Sequence, residues 1–371
     1  MLPYDPLAEQ RGANQPPFDI FLHGMVFLDI IFTGLDKRPD AGEEIWADGM
    51  GSCPGGIANL AVAASRLGLR TSLGAAFGDD DYGEFCWRTL EQQEHVDLSH
   101  SRRYPGWHSP VTVSMALHDD RSMITHGHDA PESATRMIGT PPPARAVLLD
   151  LKPDVPLTED EELTWAQQAR DAGSLLFADV GFDQSGRWSN QVLRQLEHCH
   201  AFMPNALEAM QYTRTDTPQD ALYVLADHVP LAVVTDGARG ALAIDSTTGE
   251  EARVPSLRVR AIDPTGAGDV FGAAITLGTL AGWPLEDRLA FAALCSALAV
   301  QHVGGSLAAP GWGDIADWWL RTREMQPGET SPRAYLASVR RRYAFLDEIV
   351  PLVPPGAVRR AAATIARRSD A

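Results

Sequence analysis

The 371-residue sequence has very little lysine, few cysteines and no long apolar run. Its two lysines, Lys37 and Lys152, stand in no GxxxxGK[ST] motif, which excludes a P-loop whose lysine binds phosphate. The cysteines form no Cys-x-x-Cys pair, which excludes a cysteine zinc site and is typical of a reducing compartment. They are Cys53, Cys86, Cys199 and Cys295.

The charge and the apolar content limit the partners of the chain and its location. A net charge of −18 makes nucleic acid and an anionic membrane unfavourable partners. Residues 1–17 lack the apolar core of a secretory signal, and the most apolar stretch, 289–300, is too short to cross a bilayer. We therefore expect a cytoplasmic protein that binds neither nucleic acid nor membrane.

Strands and helices alternate along the chain, which predicts an α/β fold with a mainly parallel sheet covered on both faces. The first strand is predicted at 19–31 and the first helix at 57–67, where apolar residues recur at helical spacing. Further strands are predicted at 72–76, 146–149, 175–178 and 231–235. Further helices are predicted at 81–94, 159–171, 218–227, 267–281 and 285–303.

Two segments interrupt this alternation, and the chain changes character near its ends. The segments 34–53 and 111–125, the latter a predicted hairpin, are expected to form a small β lid at one end of the sheet. We predict an N-terminal extension over 1–17, one main domain over 18–312 and a helical, basic extension over 313–371. The last 47 residues hold eight arginines against four acidic residues, which fits a docking element or a solvated helical face.

A polar, glycine-rich turn runs into a strongly apolar helix at 262–272. In such a turn the N–H groups of Gly266, Ala267 and Gly268 can approach an anion, and the helix N-terminus adds about half a positive charge. The arrangement suits stabilisation of a phosphoryl group in transfer. Asp269 lies in the first helical turn, where the dipole favours its ionised form, as a base that accepts a hydroxyl proton requires. The alternative is that Asp269 only complements the helix dipole.

A second glycine-rich segment precedes this turn by about 200 residues. It contains Gly55-Gly56-Ile57-Ala58-Asn59 at a helix start and, further on, GDDDYG at 78–83. With these motifs in this order, the sequence resembles the ribokinase-like, or PfkB, carbohydrate kinase family over roughly 19–312. The resemblance implies a three-layer α/β/α fold with a β lid, ATP and Mg²⁺ as cofactors, a small sugar as substrate, and a homodimer formed through the lids.

The resemblance also implies substrate contacts. Asp29 would accept hydrogen bonds from two adjacent hydroxyls of the substrate, and Gly55, Gly56 and Asn59 would lie on the substrate side. A turn acid and a polar helix residue are the alternatives for Asp29 and Asn59. Lys152 is an inference of our own: a lysine at this end of the sheet would suit a sugar acid, whereas a surface lysine before a proline is the alternative.

On the nucleotide side, the resemblance assigns two short motifs and a cation site. Asn205 and Glu208 match the family's NxxE motif, which helps to place Mg²⁺ and phosphate through water, although alone they are a helix N-cap and a first-turn acid. A strand–turn–strand that contacts nucleotide is matched by Thr235, Gly237 and Gly240. Asp263, the backbone near Thr265 and the loop 303–306 match the place where many members bind a monovalent cation such as K⁺.

Two His-x-His pairs, 126–128 and 198–200, have the spacing of metal ligands but lack a third ligand in a motif, and we interpret both as structural.

Taken together, the sequence predicts an ATP-dependent kinase that phosphorylates a hydroxymethyl group of a small sugar or sugar acid, with Asp269 as general base. The alternatives are a nucleoside or sugar-phosphate kinase of the same family and a catalytically silent, sugar-binding regulator.

Overall fold

A computed structural model describes residues 4–12, 15–117, 121–151, 163–180, 183, 186–328, 332–360 and 368–369. The strands are β1 Phe18–His23, β2 Val26–Thr33, β3 Gly49–Gly56, β4 Thr71–Gly74, β5 Ala76–Gly78, β6 Arg102–Tyr104, β7 Val111–Ala116, β8 Arg121–His126, β9 Ala144–Asp150, β10 Leu175–Asp179, β11 Ala201–Phe202, β12 Leu231–Thr235, β13 Ala241–Asp245, β14 Glu250–Val254 and β15 Arg368–Ser369. The α-helices are α1 Ile57–Arg66, α2 Asp81–Arg88, α3 Ala134–Ile138, α4 Thr164–Asp171, α5 Gln191–Gln195, α6 Ala206–Thr213, α7 Pro218–Ala226, α8 Ala267–Leu280, α9 Leu285–Ala299, α10 Gly305–Ala308, α11 Trp312–Glu324, α12 Arg333–Arg342 and α13 Leu346–Ile349.

The central sheet has eight strands in the spatial order β4-β1-β9-β10-β11-β12-β13-β14. The six strands from β4 to β12 are parallel, and the hairpin β13–β14 adds two antiparallel strands at one edge. The mainly parallel sheet predicted from the sequence is therefore confirmed. Because parallel strands end at the same edge, the loops that follow them meet there.

Alternation along the strands divides the apolar side chains between two cores. In β9, Ala146 and Leu148 face the core that holds α1, α8 and α9, whereas Val147 and Leu149 face the core that holds α3 to α7. This period of two is expected of a strand buried on both faces. The three-layer α/β/α architecture is thus confirmed.

A second sheet, with the strand order β15-β3-β2-β7-β8, forms the lid. The single first strand predicted at 19–31 is wrong: the chain leaves the central sheet after β1, bends at Gly24 and Met25, and continues as β2 in the lid. A Cβ on Gly24 would lie 2.8 Å from Cβ of Ile57, so the bend packs tightly on the start of α1. In the first predicted lid segment, 34–53, residues 34–48 contain no strand. The strand in this segment is β3, which begins at Gly49 and extends past 53 to Gly56.

Residues beyond 312 share the core of α1, α8 and α9. The indole nitrogen of Trp312 donates a 2.7 Å hydrogen bond to the carbonyl of Leu67. Its ring stacks on Phe291 at 5.2 Å and meets Tyr4 edge-on at 5.1 Å. The chain described here therefore shows no break in packing at 312. No described helix has both the length and the apolar content needed to span a membrane.

Candidate active site

The predicted nucleotide-side residues lie at the carboxyl edge of the parallel strands, where ligands of open α/β sheets bind. Thr235 ends β12, and Asn205 follows β11 after Met203 and Pro204. The two residues form an isolated parallel bridge, and the N–H of Thr235 donates to the carbonyl of Pro204 at 3.1 Å. The sheet register thus holds Asn205 beside Thr235.

The glycine-rich turn begins α8 in the expected way. Gly266 is the N-cap with φ of 72°, a left-handed conformation that favours glycine. A Cβ at Gly266 would lie 2.9 Å from Cα of Gly305, whereas one at Gly268 would meet no atom within 4 Å. The N–H of Ala267 donates to the carbonyl of Pro264 at 3.2 Å and closes the turn. The N-terminus of α8 is therefore packed against α10 on one side and open at Gly268.

Asp263 connects this turn to the loop that precedes α10. Its Oδ1 accepts hydrogen bonds from the N–H of Thr265 at 2.9 Å and from the Thr265 hydroxyl at 2.5 Å. Its Oδ2 accepts from the N–H of Gly304 at 3.0 Å. The structure thus brings together Asp263, Thr265 and the 303–306 loop, the three parts of the predicted cation site.

Asp269 lies in the first turn of α8, as predicted, but its electrostatic environment differs from the expectation. Burial, together with the nearby carboxylate of Asp150, raises the pKa of Asp269 to about 7, while a hydrogen bond from the Asn59 side chain opposes this shift. The net shift is opposite to the one that the helix dipole alone would give, because loss of water outweighs the dipole. A carboxyl group with a pKa near neutrality suits a general base.

Three more acidic residues surround Asp269, and the sequence analysis missed two of them. Asp150 ends β9 and Asp179 ends β10, and each could have been found as the polar residue that closes an apolar parallel strand. Burial raises the pKa of Asp179 well above its usual range, and Asp150, Glu208 and Asp269 add repulsion. Burial also raises the pKa of Glu208. The pKa of Asp150 is raised because protein atoms surround its carboxyl group, although part of the residue remains in contact with solvent. Among the described residues no cation contributes to these shifts.

Asn205 and Glu208 form a reciprocal capping box at the start of α6. The side-chain oxygen of Asn205 accepts from the N–H of Glu208 at 3.0 Å, and Oε2 of Glu208 accepts from the N–H of Asn205 at 2.9 Å. The two residues therefore do cap a helix, the alternative noted from the sequence. The cap also anchors the buried Glu208 carboxyl within the acidic cluster.

The predicted substrate-side residues lie where the lid joins α1. Asp29 lies within β2 of the lid, because the chain leaves the central sheet after β1. A Cβ on Gly55 would lie 1.9 Å from Oδ2 of Asp29, so any other residue here would displace this carboxylate. Gly56 is the N-cap of α1, with φ of 63°, and Asn59 follows in the first turn. The glycine pair thus lies between Asp29 and Asn59, and the Asn59 side chain contacts Asp269. Lys152, the remaining predicted substrate-side residue, lies outside the described residues.

A cavity of about 300 Å³ lies between the β12–β13 turn and the start of α8. The predicted nucleotide-side residues Thr235, Gly237 and Gly240 line it, as do Ala267 and Gly268 of the anion-binding turn. The remaining lining is largely apolar, contributed by residues such as Leu257, Val259, Phe271 and Val300. An apolar cavity that opens onto a helix N-terminus has the two features that a purine nucleotide requires.

Comparison with known proteins agrees with this geometry. The model of the pfkB family of carbohydrate kinases matches residues 26–311. An aminoimidazole riboside kinase of Salmonella typhimurium is 30% identical over 279 residues, which cover 70% of this chain and 85% of the relative. The ribokinase of Bacillus subtilis is 25% identical over 81% of this chain and 98% of its own length.

Solved structures show the same fold at lower identity. Arabidopsis thaliana ribokinase, determined with ribose and ATP, has a TM-score of 0.62 at 22% identity and covers 80% of this chain and 96% of its own. A proposed ribokinase II of E. coli, determined with ATP and Mg²⁺, has a TM-score of 0.67 at 20% identity and covers 82% and 99%. These likenesses define a ribokinase-like α/β/α protein. The chain belongs to the pfkB family of carbohydrate kinases, and the predicted enzyme class is confirmed.

Proposed function

We propose that this protein transfers the γ-phosphoryl group of ATP to a hydroxymethyl group of a small sugar or sugar acid, with Asp269 as general base. The observation that carries the proposal is the environment of Asp269: a carboxyl group with a pKa near 7 in the first turn of a glycine-initiated helix. The base accepts the hydroxyl proton as the oxygen attacks phosphorus. The N–H groups at Gly266, Ala267 and Gly268 stabilise the charge on the phosphoryl group.

Substrate and nucleotide approach Asp269 from opposite sides in this proposal. The nucleotide base occupies the cavity beside Thr235, Gly237 and Gly240, which places its phosphates toward Gly268. Asp29 accepts hydrogen bonds from hydroxyls of the substrate, while Gly55 and Gly56 leave room beside its carboxylate. Closure of the lid over this space excludes water and limits ATP hydrolysis.

The acidic cluster fits a bound Mg²⁺. A hard divalent cation prefers carboxylate oxygens and retained waters, which Glu208, Asp150 and Asp179 can supply. Asp150 raises the pKa values of Glu208 and Asp179 beyond the effect of burial, and Glu208 raises that of Asp179. When bound, Mg²⁺ neutralises charge on the phosphates. Glu208, held by its cap with Asn205, is the residue that we expect to position the ion through water.

We also propose a monovalent cation such as K⁺ beside Asp263 and the 303–306 loop. The supporting observation is the buried Asp263 carboxylate, which accepts hydrogen bonds from the N–H groups of Thr265 in the anion-binding turn and of Gly304. A cation bound beside this carboxylate would make the turn more rigid. Replacement of K⁺ by Na⁺ at constant ionic strength should lower turnover, measured as ADP release. Equal rates in the two salts would remove the cation from the proposal.

The class of substrate has two candidates. A sugar acid is suggested by Lys152, whose positive charge would suit a carboxylate. The 30% identity to a riboside kinase instead favours a substrate in which ribose carries a heterocycle. Replacing Lys152 by Gln should raise KM for a sugar acid and leave KM for a neutral sugar or riboside unchanged. An unchanged KM for the acid would favour the riboside.

The first experiment is ATP turnover against free sugars, sugar acids, ribosides and sugar phosphates, with Asp269→Asn as the test variant. Loss of the base should lower turnover on the accepted class by roughly 10²- to 10⁴-fold. The matched control is Asp227→Asn, an exposed residue at the end of α7. Sugar binding without turnover on any class, unaffected by Asp269→Asn, would instead support a silent regulator.

A homodimer through the lids completes the proposal. The lid exposes large apolar side chains, with Met50, Met123 and Ile124 each at least half exposed. Patches of this kind mark interaction surfaces. Sedimentation analysis should show a dimer for the wild-type chain and a monomer for Ile124→Lys, and a wild-type monomer would contradict the proposal.

A further inference from the structure

Three histidines that are dispersed in the sequence meet at the base of the lid hairpin. His126 ends β8, His128 follows two residues later, and His108 lies three residues before β7. One ring nitrogen of each histidine lies within 4.8 Å of the corresponding nitrogens of the other two. Sequence spacing singled out the pair His126 and His128 but supplied no third ligand, because His108 approaches only when the hairpin forms.

The arrangement of the rings is close to that around a tetrahedral metal ion. The centroid distances are 5.0 Å for His108 and His126, 5.1 Å for His108 and His128, and 5.2 Å for His126 and His128, so the rings form a nearly equilateral triangle. Three imidazoles bound to Zn²⁺ at its usual bond length would have centroids about 5.2 Å apart and nitrogens about 3.3 Å apart. The Nε2 atoms of His108 and His126 are 3.2 Å apart and share a hydrogen bond, and a metal bound between them would replace its proton.

The hydrogen bonding of His108 leaves its Nε2 suited to bind a metal. Nδ1 of His108 lies 3.1 Å from the carbonyl oxygen of Ser109. A carbonyl only accepts, so Nδ1 carries the proton and Nε2 of the neutral ring carries the lone pair. A metal-binding histidine usually donates its other N–H to such an acceptor. In addition, the N–H of Ser109 donates to Oδ2 of Asp80 at 2.7 Å, which fixes this segment to the start of α2.

The two segments that carry the histidines are held together independently of the rings. A Cβ on Gly127 would lie 2.8 Å from Cβ of Pro110, so a glycine is needed between His126 and His128 for the chains to approach. The indole nitrogen of Trp107 donates to the carbonyl of Asp129 at 3.1 Å. The cluster is therefore preorganised by its backbone, as a metal site requires.

From this geometry we propose that His108, His126 and His128 bind one borderline divalent transition-metal ion, such as Zn²⁺, with the fourth position open to water. Imidazole selects zinc, nickel or copper, whereas Mg²⁺ prefers oxygen ligands, so this site is chemically separate from the acidic cluster. The metal joins the segment before β7 to the end of β8. His126 pairs with Val111 across the hairpin, and Val111 pairs with Leu28 of β2, the residue before Asp29. The ion would therefore hold in place the hairpin that borders the substrate side.

The test uses the full chain without an affinity tag and Co²⁺ as a spectroscopic probe. We expect one equivalent of Co²⁺ to give the visible absorption of a tetrahedral complex, Zn²⁺ to displace it, and excess Mg²⁺ to leave it unchanged. His126→Ala and His128→Ala should each weaken binding at least about 100-fold, because each removes one of three ligands. Zn²⁺ should raise the Tm of the wild-type chain but not of these variants.

Two further variants separate this site from general effects. His198→Ala is the matched control, because His198 belongs to the other His-x-His pair and lies beside Glu197. This variant should leave Co²⁺ binding unchanged. Gly127→Ala keeps all three histidines but forces Pro110 and the loop apart, and it should weaken binding. Both His126 and His128 are exposed, so their loss should not unfold the chain. The proposal is wrong if wild-type binding is not saturable or if His126→Ala binds Co²⁺ as tightly as wild type.

Discussion

The side-chain amide of Asn59 donates a hydrogen bond to the carboxylate of Asp269, and so connects the first turns of α1 and α8. The same amide is buried, and its Oδ1 has no hydrogen-bond partner among the residues that the structure describes. Burial and Asp150 favour the neutral form of Asp269, whereas Asn59 favours the ionised form. The strength of the proposed base therefore depends on a residue that belongs to the substrate-side motif.

The pH dependence of turnover should report this balance. A general base is active when ionised, so kcat/KM should rise with pH and reach half of its maximum near the Asp269 pKa of about 7. Asn59→Ala removes a bond that lowers this pKa and should move the midpoint upward. Asn190→Ala, at an exposed helix start where no side-chain cap forms, is the control. A midpoint near 4 for the wild-type enzyme would contradict the assignment.

Asp269→Asn should stabilise the protein while it removes activity. The pKa of Asp269 is raised on folding, so the carboxyl costs stability once the pH exceeds its unfolded value, and this cost is complete above about 7. The gain in Tm should be largest at pH 8, shrink as the pH falls below 7 and vanish near 4. Differential scanning calorimetry of both proteins across this range measures it. A variant less stable than wild type at pH 8 would show that Asp269 has a structural role instead.

Gly305→Ala should lower activity more than stability. A Cβ at this position would lie 2.3 Å from Oδ1 of Asn59, and the flexible end of Asn59 can move away at small cost. Such a shift breaks its hydrogen bond with Asp269, and misplacement of about 1 Å in an active site can lower the rate about 100-fold. Gly328→Ala, where a Cβ would meet nothing within 4 Å, is the control. Steady-state kinetics and Tm together test this, and full activity of Gly305→Ala would disprove it.

Trp312→Ala should show that the start of α11 is anchored in the main core. The side chain is 1% exposed and makes both a hydrogen bond to Leu67 and a stacked contact with Phe291. Its loss should lower the free energy of unfolding by about 3–5 kcal/mol, measured by urea denaturation. Trp46→Ala is the control, since Trp46 is 90% exposed and a surface substitution should change stability by about 0.5 kcal/mol or less. Equal effects of the two substitutions would place Trp312 outside the core.

The sequence predicts the structure best where a periodic pattern of apolar side chains and a local motif occur together. The start of α8 at Gly266 and the start of α1 at Gly56 were predicted because turn glycines and helical apolar spacing lie next to each other in the chain. The bend between β1 and β2 was missed because both strands are apolar, and a continuous apolar run does not reveal that its halves enter different sheets.

Residues whose importance comes from long-range contact were harder to find. Asp150 and Asp179 each look like a polar residue at the end of a strand, and only the parallel register of β9 and β10 places them together at one edge. His108 is unremarkable in the sequence, and it joins His126 and His128 only because β7 and β8 pair. Motif spacing carries no information about such contacts.

What the sequence by itself determined is the class of fold, the two glycine-rich turns and the identity of Asp269 as the candidate base, because each is written in neighbouring residues. What only the tertiary structure decided is the chemistry of those residues. Desolvation and the proximity of Asp150 raise the pKa of Asp269 and outweigh the lowering expected from the helix dipole. Both depend on which distant segments pack around the carboxyl group, and the free energy of a charge follows its surroundings in space rather than its neighbours in the chain.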